Sequence, residues 1–157
     1  MNEVIGLRLA YQGFVAGLAG GYVWAAIAMA LAAIVHGDPL RPLEPLALAL
    51  SPFAESREAA FVLGLGAVQV GGAVIGMCFA YFFARFFTVR ATLAVAAPTA
   101  AVLAWALIAA LLARDMPGVD LAAPVALMAT IGYGLMLGAR VPIRGAVVRH
   151  HPGSPSR

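Results

Sequence analysis

Four stretches of the chain carry no charged side chain: Leu9 to Val35, Ala59 to Ala84, Ala91 to Ala113 and Leu121 to Ala139. Within them apolar residues occupy every face of a helix instead of one stripe, which predicts helices surrounded by hydrocarbon. The strict alternation in segments of about 10 residues that a membrane barrel requires is missing. The runs are 27, 26, 23 and 19 residues long. Each suffices for a helix crossing a ~30 Å hydrocarbon layer at ~1.5 Å per residue. The expected fold is therefore all-α, a polytopic membrane protein with four transmembrane helices at about 9–35, 59–84, 91–113 and 121–139 in one domain, 1–157. An outer proline-rich loop, 36–58, and a basic tail, 140–157, complete the chain. The first run exceeds the roughly 7 to 15 residue apolar core of a signal peptide, and Arg8 is the one basic residue before it, so an uncleaved helix is expected.

Polar and proline positions refine these elements. Pro98 and Pro124 fall in the first turns of the third and fourth spans, where a missing backbone donor costs little, and Pro142 ends the fourth. In the loop, "DPLRPLEPL" repeats Pro39, Pro42 and Pro45 every three residues, the period of a polyproline II helix. That geometry would align Leu40, Leu43 and Leu46 along one edge, either lying on the bilayer surface or docking a partner. "LALALSPF" then predicts a short interfacial helix or turn stopped near Pro52, and Ser56 is the expected N-cap of the second span. The first and third spans share a rough pattern, a tryptophan, an alanine and aliphatic run and a polar exit. Read as duplication, this makes 9–84 and 91–139 two tandem hairpins related by an axis along the membrane normal; alanine-rich composition alone gives the same likeness.

Small residues spaced by four form three rows: Gly13, Gly17, Gly21 and Ala25; Gly72, Gly76 and Ala80; Thr130, Gly134 and Gly138. Lipid is as apolar as leucine, so membrane helices associate through close van der Waals contact and interhelical hydrogen bonds, and such rows are expected to pack helices together. Gln69 lies on the face of Gly72 and Gly76, and its amide can bond across the same contact. Alternatively, Gln69 lines a polar site with Tyr22, Tyr81 and Tyr133. Trp24 and Trp105 fall near mid-membrane, away from the interfaces where tryptophan gathers, and are expected to be core or partner-facing bulk.

Composition agrees and sets the orientation. The chain is 63% hydrophobic and 11% charged, against about a quarter charged in soluble domains. It contains no lysine, and a lysine-free, alanine- and arginine-rich chain fits a GC-rich bacterial genome and the inner membrane. Seven arginines (Arg8, Arg85, Arg90, Arg140, Arg144, Arg149, Arg157) fall on the side of the termini, against Arg41, Arg57 and Arg114 on the other. By the positive-inside rule both termini are cytoplasmic. Arg85, Arg90, Arg140, Arg144 and Arg149 are candidate contacts for anionic lipid headgroups. The net charge of +3 reads as an orientation signal, and no nucleic-acid partner is expected.

The spans hold no carboxylate, histidine or basic residue of the kind that ion-coupled transporters and proton pumps keep at depth. A single cysteine, Cys78, excludes paired-thiol chemistry within the chain, and neither Ser51 nor Ser56 lies in a span. No catalysis is expected. His36, at the outer membrane edge, is a candidate ligand for a haem or chlorophyll supplied at an interface, and Gln69 is a second candidate cofactor contact; no metal site is expected.

"GAVQVGGAVIGMCFAYFFA" in the second span and "IGYGLMLGARV" in the fourth resemble a loosely defined group of uncharacterised small four-helix bacterial membrane proteins. Those proteins often carry a histidine in these helices, where this chain has Gln69 and Tyr133, and the resemblance implies no activity. The leading expectation is a non-catalytic accessory subunit packed against a larger respiratory or photosynthetic type of membrane complex. A small oligomeric transporter or channel, and a lipid- or cofactor-binding bundle, are the alternatives. The expected partners are the bilayer and other membrane subunits or further copies of the chain.

Overall fold

The computed structural model describes residues 2–51, 56–83, 86, 90–115 and 124–141. Among them the protein is all-helical: α1 (Asn2–His36), α2 (Glu44–Leu50), α3 (Arg57–Cys78), α4 (Arg90–Asp115) and α5 (Pro124–Arg140), with no strand. A π-helical turn, Phe79–Phe83, extends α3. Three stretches, Gly6–His36, Arg57–Phe83 and Thr92–Leu111, are long and apolar enough to cross a membrane. α5 has 17 residues, so its rise is ~25 Å at ~1.5 Å per residue.

α1 runs well past the apolar stretch at its N-terminal end, because charge ends the hydrophobic pattern without ending backbone hydrogen bonding; Arg8 is an exposed helical residue. α3 starts where a cap permits it. Ser56 is extended and its Oγ accepts from the Ala59 N–H at 3.1 Å. Pro124 opens α5, where its missing donor is harmless. Pro98 departs from its expected place: α4 begins at Arg90, so the proline stands in the helix interior and leaves the Ala94 carbonyl without its usual donor. Beside it, Thr99 Oγ1 donates to the Val95 carbonyl at 2.9 Å. Pro142 and the first three residues expected in the fourth span, 121–123, lie outside the described residues.

The loop corrects the polyproline reading. Leu43 N donates to Leu40 O at 2.8 Å and residues 39–43 are turns, after which Pro45 sits in the first turn of α2. A polyproline helix makes no internal hydrogen bonds and would leave all three leucines on one outer edge. Folding back instead buries Leu43 completely and Leu46 almost so, with Leu40 half-buried. Asp38 fixes the turn: its Oδ1 accepts from Leu40 N at 3.1 Å and from Arg57 Nη2 at 2.9 Å. Gly37, at φ +72°, supplies the left-handed residue that ends α1.

Close contacts set the order of the helices. Gly13 meets Gly76 and Ala80, and Gly17 meets Gly72, so α1 and α3 are antiparallel. Gly20 lies on the Tyr133 ring and Trp24 on Thr130, so α1 and α5 are antiparallel as well. Gly134 meets Pro98 and Gly138 meets Leu93 and Ala94, so α5 and α4 are antiparallel. The packing sequence is α3–α1–α5–α4, with α2 laid on α3. Two hairpins related by a two-fold axis would match the α1–α5 contact with an equivalent contact of α4 on α3. Among the described residues α3 and α4 form no such face.

Candidate functional site

The open side between α3 and α4 leaves a cleft of about 190 Å³ at mid-height of the bundle. α3 supplies one wall through Ala67, Gly71 and Ile75, and α4 the other through Ala101, Trp105 and Ile108. Gly21 and Trp24 of α1 and Thr130 and Tyr133 of α5 form the floor. Leu46 of α2 reaches in from the end where α3 begins. The cleft exists because the floor contacts are short. Gly17 and Gly72 bring α1 and α3 to backbone contact, and a Cβ on Gly17 would collide with the Gly72 carbonyl. Gly134 does the same for α5 against the Pro98 backbone.

Polar atoms in the floor are bonded within the chain. Trp24 Nε1 donates to Thr130 Oγ1 at 3.1 Å, and that hydroxyl donates to the Ala126 carbonyl at 2.7 Å. Tyr133 OH donates to the Gly72 carbonyl at 2.7 Å, tying α5 to α3. The Trp24 and Trp105 rings are in contact at the edge of the cleft, with centroids 5.4 Å apart and planes tilted by 47°. Among the described residues no buried side-chain nitrogen or oxygen lacks a hydrogen-bond partner. The lining is thus carbon and aromatic rings with its few polar groups already paired.

Gln69 sits just outside this floor, on the α1–α3 contact. Its amide is assigned from its surroundings: Nε2 donates to the Leu18 carbonyl at 2.9 Å and Oε1 accepts from the Tyr22 N–H at 3.2 Å. These are the two backbone groups that an α-helix pairs with each other, so the side chain brackets one rung of α1. Gly21, Gly72 and Gly76 border the same contact.

The remaining candidate residues are dispersed. His36 is exposed in the last turn of α1. It stands 14 residues from Tyr22, or ~21 Å along the helix, so it does not meet Gln69 around one cofactor. Tyr22 and Tyr81 are exposed whereas Tyr133 is buried, so the three tyrosines that could have formed a common site with Gln69 do not converge. Among the described residues no three histidine, cysteine or acidic side chains come together as a metal site. Arg140 is exposed at the end of α5, whereas Arg85, Arg144 and Arg149 and the Arg90 side chain lie outside the described residues. Trp105, Gly71 and Leu46 are site residues that spacing did not single out as a group. Each tryptophan standing well inside an apolar run, away from its charged ends, is the signal that points to them.

Comparison with known protein families, with curated proteins and with solved structures finds no match to this chain.

Proposed function

We propose that the protein is a non-catalytic accessory subunit of a larger membrane assembly, a four-span protein of a bacterial inner membrane with both termini in the cytoplasm. The observation that carries this reading is the position of α4. Among the described residues its one extensive helix contact is α5, and Leu103, Leu107 and Leu111, one helical row, are more than half exposed. The glycine rows of α1, α3 and α5 are engaged inside the chain, and the α4 leucine row is the flank we assign to a neighbour because, of the four long helices, α4 has the fewest extensive helix partners among the described residues. The Trp24–Thr130 and Tyr133–Gly72 hydrogen bonds in the interior fit a structural role, in which polar groups tie neighbouring helices together.

Purification of the tagged full chain from its native membrane in a gentle detergent tests the proposal. Larger membrane subunits are expected to co-purify, and Leu103→Arg with Leu107→Arg to release them while α1–α3 packing persists. A homo-oligomer with no companions that conducts ions or transports a solute in vesicles would overturn it.

A further inference from the structure

We propose that the cleft between α3 and α4 is a binding site for one acyl chain of a bilayer phospholipid, which enters sideways at mid-depth. This goes beyond the accessory role and is independent of it, because the cleft lies on the opposite face of α4 from Leu103 and Leu107.

Size selects the class of occupant. At about 190 Å³ the cleft is comparable to the ~150 Å³ apolar cavity that takes up benzene. A helix, ~10 Å across with its side chains, does not enter it. Chemistry narrows the class further. No charged side chain lines the cleft, and the Trp24 indole N–H and the Thr130 and Tyr133 hydroxyls donate within the chain. A headgroup, a sugar or an ion finds no complementary donor there, whereas an alkyl chain meets carbon throughout. Finally, adjacent glycines differ. A Cβ on Gly72 would press on Gly17, but a Cβ on Gly71 would meet nothing within 4 Å. The described helices therefore leave the notch at Gly71 unfilled, open to the hydrocarbon of a surrounding bilayer.

The two tryptophans of the chain, Trp24 and Trp105, both border the cleft, which makes occupancy directly readable. In Trp105→Phe the sole tryptophan is Trp24, which is only 5% exposed and is read by exciting tryptophan selectively over tyrosine. The full chain is reconstituted in phosphatidylcholine vesicles whose acyl chains carry bromine at mid-chain, a contact quencher. Trp24 emission is expected to be at least halved relative to unbrominated vesicles. Adding Gly71→Leu, which fills the cleft, is expected to restore it. Gly66→Leu, at an equally open position that does not line the cleft, leaves the quenching in place. Unquenched Trp24, or quenching that persists in a helical Gly71→Leu protein, overturns the proposal.

A second measurement needs no substitution: a phosphatidylcholine with a mid-chain diazirine is photolysed with the unaltered protein. Adducts at Ala67, Gly71 and Ile75 are expected to exceed those at Leu103 several-fold, and an even spread overturns the site. Recovery of Trp24 emission on adding a polyisoprenol would reassign the cleft to a branched isoprenoid. A disulfide between copies of Gly71→Cys in a Cys78→Ala background would reassign it to a second copy. Either result defeats the phospholipid assignment.

Discussion

The consequence of a side chain in this bundle depends on what the neighbouring helix presents to it. At Gly17 a methyl group would strike the Gly72 carbonyl, whereas at Gly71 it would enter open space. Gly17→Ala is therefore expected to lower stability by about 1–3 kcal/mol as an overpacked contact, and Gly71→Ala to leave it unchanged or slightly raised. Unfolding in mixed micelles of mild detergent and SDS, followed by circular dichroism, compares the two. Gln69 and Tyr133 act through hydrogen bonds, so Gln69→Leu and Tyr133→Phe, which keep most of the volume, should each cost roughly 0.6–2 kcal/mol. A loss near zero for both would mean that the α1–α3 and α5–α3 contacts are held by packing alone. The face of Gln69 was readable from its spacing to Gly72 and Gly76. That Gly72 is packed and Gly71 open was not, since small-residue spacing says where helices can approach and the neighbouring helix decides where they do.

Among the elements, α2 is where local pattern and final structure diverge most. Three prolines at a period of three carry the composition of an extended rod, but nothing in a rod buries Leu43 or Leu46. The turn that buries them is paid for locally by Asp38, which accepts from the Leu40 backbone and from Arg57. The ion pair and the burial of Leu43 differ in weight. The Arg57–Asp38 pair is exposed, with side chains at 71% and 39%, so Arg57→Ala should change stability by no more than about 1 kcal/mol. Leu43 is wholly buried against Gly64 of α3, and Leu43→Ala should cost roughly 2–5 kcal/mol. The same unfolding assay ranks them, and equal effects would mean that the ion pair holds α2 in place. α4 teaches a related lesson. Its apolar run and its length were legible, and its start at Arg90 is one residue from the expected Ala91; the expected first-turn place of Pro98 fails because eight helical residues, 90–97, precede it.

For the molecule as a whole, the number of crossings decides the arrangement in the membrane. The antiparallel contacts put the first described residues of α1 and the last of α5 at one end of the bundle, and Arg8 and Arg140 lie there together. Three of the helices have ample apolar length, while α5, at 17 residues, rises ~25 Å against a hydrocarbon layer of ~30 Å. Two effects compensate for that deficit. Local thinning of the bilayer costs only fractions of a kcal/mol per Å of mismatch. The buried face of α5, from Val125 through Ala129, Tyr133 and Leu137, is held against α1 and α4 along its whole length, so withdrawing it from the membrane would expose their glycine contacts. Crossing is therefore favoured over an α5 that stops short. Fusions at residue 157 separate the two cases. With four crossings and cytoplasmic termini, a C-terminal green fluorescent protein should be bright and a C-terminal alkaline phosphatase inactive, while a phosphatase inserted after Ser51, between α2 and α3, should be active. With three crossings the C-terminal pair would reverse and the inserted reporter would not. That outcome would remove α5 from the membrane and with it the floor of the cleft.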